Sequence, residues 1–183
     1  MRSWALIAGL ALSACAPVAR VVGGPDLELP PALAAEARVV RLDVEAPWAV
    51  VNRYAETQGR TVNPGDEPEP LDDLSFRNAI DGEIRPQLDR CATGVRRLEA
   101  RVRIERLDFD DRFRSLWDGQ GHDRIEGLVE FADPAAGGAI VGRYRIVAEA
   151  GSGKLLRRIV TDRTDSLAEA FGRQLCRSAF GRD

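Results

Sequence analysis

Between Val95 and Phe109 the sequence VRRLEARVRIERLDF alternates charged and apolar residues, and this run constrains the fold more than any other. Successive side chains of a strand point to opposite faces. Leu98, Ala100, Val102 and Ile104 therefore face a core, while Arg97, Glu99, Arg101, Arg103 and Glu105 face water. A sheet built from such a strand needs cover on one face only. Leu107 and Phe109 fall out of phase with the alternation, which predicts a β-bulge or bend near Arg106.

The other elements follow from period and punctuation. ARVVRLDVEAP reads as a first strand with Val40, Leu42 and Val44 inward and Arg41, Asp43 and Glu45 outward, stopped by Pro47. WAVVNRYAETQGR is either a short helix or a loop, and TVNPGDEPEPLDD (61–73) is a polar, proline-broken loop with no place in a core. From Leu74 the period changes: Phe76, Ile80, Ile84, Leu88 and Cys91 share one helical face, with Asp72, Asp73 or Ser75 as the starting cap and a kink at Pro86. RIEGLVEFADP and AIVGRYRIVAEA are strands joined by PAAGG, and GSGK leads into LLRRIVTD, a further short strand. Ser166 and Glu169 form a capping box for a last helix whose buried stripe is Leu167, Phe171, Leu175 and Ala179, with Cys176 at its border. The order strand, helix, three or four strands, helix predicts an α+β fold: an antiparallel sheet of four to five strands with two helices packed on one face.

The N-terminus carries different information. Arg2 is followed by nine apolar residues, Trp4 to Leu12. As a helix these reach roughly 14 Å, against about 30 Å of bilayer core, so the stretch reads as a secretory signal and not a span. Leu12, Ser13, Ala14 and Cys15 match a lipobox at all four positions, and the segment resembles the signal of bacterial lipoproteins. That resemblance implies cleavage before Cys15, a diacylglyceryl group on its sulfur and an acylated new N-terminus. Two or more acyl chains make a stable membrane anchor. Ala16 stands where the inner-membrane retention signal has Asp, which by analogy favours the outer membrane.

Three regions are therefore expected: a signal peptide over 1–14, a lipidated N-terminus and flexible tether over 15–36, and one globular α+β domain over 37–183. Removal of residues 1–14 leaves 169 residues, enough for one core. With Cys15 set aside for lipid, Cys91 and Cys176 remain as a pair in an oxidising compartment and are expected to form a disulfide; two buried free thiols are the alternative. If both helices run parallel, that bridge staples them together. The formal net charge of −3 gives no reason to expect a nucleic-acid partner.

Motifs that suggest chemistry fail on spacing. GSGK (151–154) has Ala148 where a phosphate loop needs glycine and Leu155 where it needs Ser or Thr. LDFDDRFRSLWDGQGHD (107–123) is acidic and holds the only histidine, His122, but has Phe113 where a calcium loop needs glycine. One histidine does not make a transition-metal site. Ser115, His122 and an aspartate can be combined on paper, without a nucleophile-elbow sequence around the serine. No catalytic residue, cofactor or metal is expected. This segment reads as a charged turn, or else as a binding loop displaying Phe113, Leu116 and Trp117.

Beyond the lipobox, DVEAPWAVVNRY and the run of strands closing with a helix resemble small alphaproteobacterial periplasmic lipoproteins, and the layout is more loosely similar to transporter auxiliary lipoproteins. Neither resemblance implies an established activity. The expected function is that of a lipid-anchored protein facing the periplasm, bound to the membrane through its N-terminal lipid and acting on an envelope protein partner as an accessory or assembly factor. The alternative is a binding module for a lipid or other apolar small molecule. A carrier needs an apolar cavity; an accessory factor needs a filled core and an exposed patch or open sheet edge.

Overall fold

The structure is a computed structural model that describes residues 25–63, 65–109, 122–151 and 163–182. In chain order the elements are α1 (Pro31–Glu36), β1 (Ala37–Glu45), α2 (Trp48–Thr57), α3 (Pro70–Cys91), β2 (Arg96–Asp108), β3 (His122–Asp133), a 3-10 turn (Pro134–Ala136), β4 (Ala139–Gly151) and α4 (Arg163–Phe180). The sheet runs β1-β2-β3-β4, and the fold is α+β. β2, β3 and β4 are antiparallel, as expected for strands joined by hairpins. β1 differs, since it pairs with β2 in parallel, so the sheet is mixed and not wholly antiparallel. The cause is the connection: α2 and α3 intervene between β1 and β2, and a crossover of that length returns the chain to the end of the sheet from which it started.

β2 buries Leu98, Ala100, Val102, Ile104 and Leu107, and its register shifts between Ile104 and Arg106, where the phase slip in the sequence predicted a bulge. A second shift lies between Val39 and Arg41 of β1. It makes Val39, not Val40, the inward residue ahead of Leu42 and Val44; Val40 is only half-buried. One extra residue in a strand reverses the facing of everything before it, so strict alternation misassigned this position.

α3 lays Phe76, Ile80, Ile84, Leu88 and Cys91 on the sheet, and α4 lays Leu167, Phe171, Leu175 and Ala179 beside them. Each fully buried side chain of this size contributes about 1.5–3 kcal/mol. The two helices run side by side in the same sense: Gly172 lies against Ile84 and Gln87, and Cys176 against Cys91. A Cβ at Gly172 would sit 2.8 Å from Gln87 Cγ, so the helices meet closely there. Cys91 and Cys176 form a disulfide with Cα atoms 5.8 Å apart.

Several local expectations are corrected. The ambiguous segment is helix α2, which buries Val50, Val51, Tyr54 and Ala55; Tyr54 meets Phe76 edge-to-face with centroids 5.5 Å apart. The stretch 61–73 does reach the core boundary, because its Asp72, in the first turn of α3, is buried and forms an ion pair with Arg60 at 3.1 Å. No side chain caps α3; Pro70 opens it, and Asp72 and Asp73 sit in its first turn near the positive end of the dipole. At Pro86 α3 is not split, as the continuing apolar stripe implied: it runs on as one element of 22 residues. α4 begins at Arg163, ahead of Ser166, so the Ser166–Glu169 pair lies inside the helix and not at its start.

The flexible tether expected over 15–36 is corrected from Leu27 onward. Leu27 exchanges two backbone hydrogen bonds with Arg143 of β4, at 3.2 and 2.7 Å. Leu29 is 2% exposed, and its N–H donates to the Tyr144 hydroxyl at 2.7 Å. Its side chain fills the space beside Gly142, where a Cβ would come within 2.7 Å of Leu29 Cγ. α1 then carries the chain directly into β1, so Leu27–Glu36 belongs to the folded body.

Candidate docking surface at the open sheet edge

The two edges of the sheet are treated differently. β4 is engaged at Arg143 by Leu27. Along β1, among the described residues, no strand pairs with the outer side, and the backbone groups on that side of the strand face a groove. The groove holds about 570 Å³. Its floor is Arg41 to Glu45 with Arg101 of the neighbouring β2, and its wall is one face of α3: Leu74, Arg77, Asn78, Asp81 and Arg85. These five recur at helical spacing beside the buried stripe through Ile80 and Ile84, so the packing that seats α3 on the core also aims this face over the strand.

The groove is charged, with both signs interleaved. Arg41 pairs with Asp43 at 3.0 Å, and Arg77 with Asp73 at 2.8 Å. Arg85 bonds both oxygens of Asp81, at 3.1 and 2.7 Å. The Asp81 hydrogen bond raises the Arg85 guanidinium pKa above its ordinary value, against a smaller effect of burial. Exposed pairs of this kind contribute about 0–1 kcal/mol each. Their main consequence is that the charges remain available to a partner. Apolar surface sits at the same end: Leu74 is 54% exposed, Leu71 is 59% and Trp48, three residues beyond Glu45, is 53%.

Elsewhere the ionic groups are architectural. Arg143–Glu130 at 2.6 Å, Arg145–Glu105 and Arg124–Glu126 ladder the solvent face of the sheet. Asp133, at the end of β3, takes Arg96 at 2.5 Å and the Ala135 N–H at 2.9 Å, and the Arg96 hydrogen bond holds its carboxyl below the usual carboxylate range. Asp123 and Arg163 are paired with little exposure, and the Arg163 guanidinium lies 5.1 Å above the Phe109 ring. Between α3 and α4, burial and then the charges of Asp165 and Glu169 raise the Glu83 pKa. Among the described residues no group of three or more His, Cys, Asp or Glu is placed to hold a metal ion.

Of the residues singled out in the sequence, Cys91 and Cys176 are brought together. Cys15 and the expected binding loop Phe113, Leu116 and Trp117 lie outside the described residues, as do the GSGK turn beyond Gly151 and the strand expected after it. The edge residues Arg41, Asp43, Arg77 and Asp81 were not singled out. Their only signal is charge of alternating sign along a strand and along a helix face, which a solvated surface also shows.

No family model matches the chain, and no curated protein sequence matches it. Among solved structures it is similar to the PelC dodecamer from Paraburkholderia phytofirmans, with 13% identity over 87% of this chain and 97% of that one and a TM-score of 0.37. It is also similar to a Xanthomonas campestris protein of the DUF330 family, with 14% identity over 90% and 89% and a TM-score of 0.38.

Proposed function

We propose that this protein is a lipid-anchored cell-envelope protein that acts by binding another protein, as an accessory or assembly factor facing the periplasm. The observation that carries the reading is the unpaired β1 edge, open along a charged groove and bordered by exposed Leu71, Leu74 and Trp48. Exposed backbone at a sheet edge is a template for added strands. The space between the helices and the sheet, where a carrier would hold an apolar ligand, is occupied by Phe76, Phe131, Phe171, Ile80 and Ile84, all fully buried.

The placement is supported by two further facts. The lipobox ends at Cys15, and the chain joins the folded body at Leu27, which leaves a short leash between them. The Cys91–Cys176 disulfide suits an oxidising compartment. No helix among the described residues is long and apolar enough to cross a membrane.

The test is affinity purification of the acylated protein from envelope membranes, for the native chain and for Leu74→Asp in the groove wall. A protein recovered in fixed proportion with the native chain and lost with the variant supports the reading. Co-purified lipid with no such protein overturns it in favour of an apolar carrier.

A further inference from the structure

We infer that the β1 edge pairs with the β1 edge of a second copy of this chain, antiparallel, about a two-fold axis at Leu42. The inference rests on reading the groove as a protein-docking surface, and it names the occupant.

A two-fold contact is isologous, and strands that meet side by side across it run antiparallel, with each residue facing its symmetry counterpart. Among axes placed on Arg41 to Val44, in the regular part of β1, the sequence then discriminates. An axis at Arg41 sets Arg41 against itself, an axis at Asp43 sets Asp43 against itself, and an axis at Val44 sets Asp43 against Glu45. Like charges directly opposite are destabilising. An axis at Leu42 alone sets Arg41 of each copy against Asp43 of the other, with Leu42 facing Leu42. Because Arg41 and Asp43 already pair within one strand at 3.0 Å, the joined edges hold four charges in an alternating square. The chain beyond the Val39/Arg41 register shift is regular through Glu45, so Arg41, Leu42 and Asp43 meet their counterparts in regular strand.

The helix layer obeys the same symmetry. A two-fold axis perpendicular to the sheet keeps the helices of both copies on one side and turns α3 antiparallel to its copy. Arg77 and Asp81 of the groove wall are one helical turn apart and opposite in charge. A two-fold between them sets Arg77 of one copy toward Asp81 of the other. An axis that also passes between these two residues would add the helix faces to the contact made by the strands, with Arg77 and Asp81 exchanging their present partners Asp73 and Arg85. Arg41 and Asp43 are 62% and 40% exposed in the single copy, so neither gives up a deep hydration shell to form the contact.

The experiment measures the mass of the full acylated chain in density-matched detergent by sedimentation equilibrium, for the native protein, Arg41→Asp, Asp43→Arg and an equimolar mixture of the two variants. The native chain is expected to be a dimer. Each reversal sets like charges across both halves of the contact and should weaken association about tenfold or more. The mixture should recover the dimer, because the first variant is acidic and the second basic at both positions. Both sites are exposed, and circular dichroism checks that each variant is folded. A monomeric native chain, or a mass that neither reversal changes, overturns the inference. If the native chain is monomeric but still retains an envelope protein, only the self-pairing falls; if it is monomeric and retains none, the protein-binding reading falls with it.

Discussion

Tyr144 shows how much of this fold rests on single polar groups placed at distant points of the chain. Its hydroxyl accepts the Leu29 N–H across a sequence separation of 115. Burial raises the phenol pKa, so the group stays a neutral hydroxyl through the ordinary pH range. Tyr144→Phe keeps the ring, and its edge-to-face contact with Phe131 at 6.0 Å, but leaves a buried amide without an acceptor. That loss costs about 1–3 kcal/mol. We expect the Leu29 amide and its neighbours to exchange with solvent faster in the variant, with a lower melting temperature; unchanged exchange at Leu29 would show that the hydroxyl is not what docks the segment. Nothing local in PDLELPP signals this contact. Small residues and prolines read as linker, and the partner that fixes them lies on the last described strand.

At the scale of elements, the legible parts were those whose pattern is local. The stripe Phe76, Ile80, Ile84, Leu88, Cys91 announces a helix because the apolar positions repeat with the helical period, and it is buried as read. The phase slip at Leu107 announces a bulge because a strand has only two faces. Whether β1 runs parallel to β2 depends instead on which end of the sheet α3 returns to, and no residue of either strand encodes that. The disulfide lies between these cases: two cysteines late in two helices allow the bridge, but parallel packing of the helices decides it. Its loop spans 85 residues. Replacing Cys91 and Cys176 with Ala should therefore lower stability by about 2–5 kcal/mol. Urea unfolding of the native and doubly substituted chains measures this, and equal midpoints would assign the α3–α4 contact to packing around Gly172 alone.

For the whole molecule, the proposed position relative to the bilayer hangs on Cys15. Cys15→Ser should remove the acyl mass from the processed protein and shift it from the membrane pellet to the soluble envelope fraction, as read by intact-mass analysis and fractionation. A variant that stays in the pellet with unchanged mass would remove the anchor from the account. The groove at β1 was invisible at this scale too, since Arg41 and Asp43 read the same in sequence whether their neighbour is water or another strand.

If Cys15 carries lipid as proposed, the seam between Leu27 and Arg143 is where a pull on the anchor would first reach the body. With the lipid on Cys15, twelve peptide steps separate anchor from seam, a reach of roughly 40 Å when taut. Traction from a flowing membrane would enter at one flank of the sheet and load two backbone bonds and a phenol together. The opposite flank, three strand spacings or about 14 Å away, would hang slack and free to collide with a neighbour in the same leaflet.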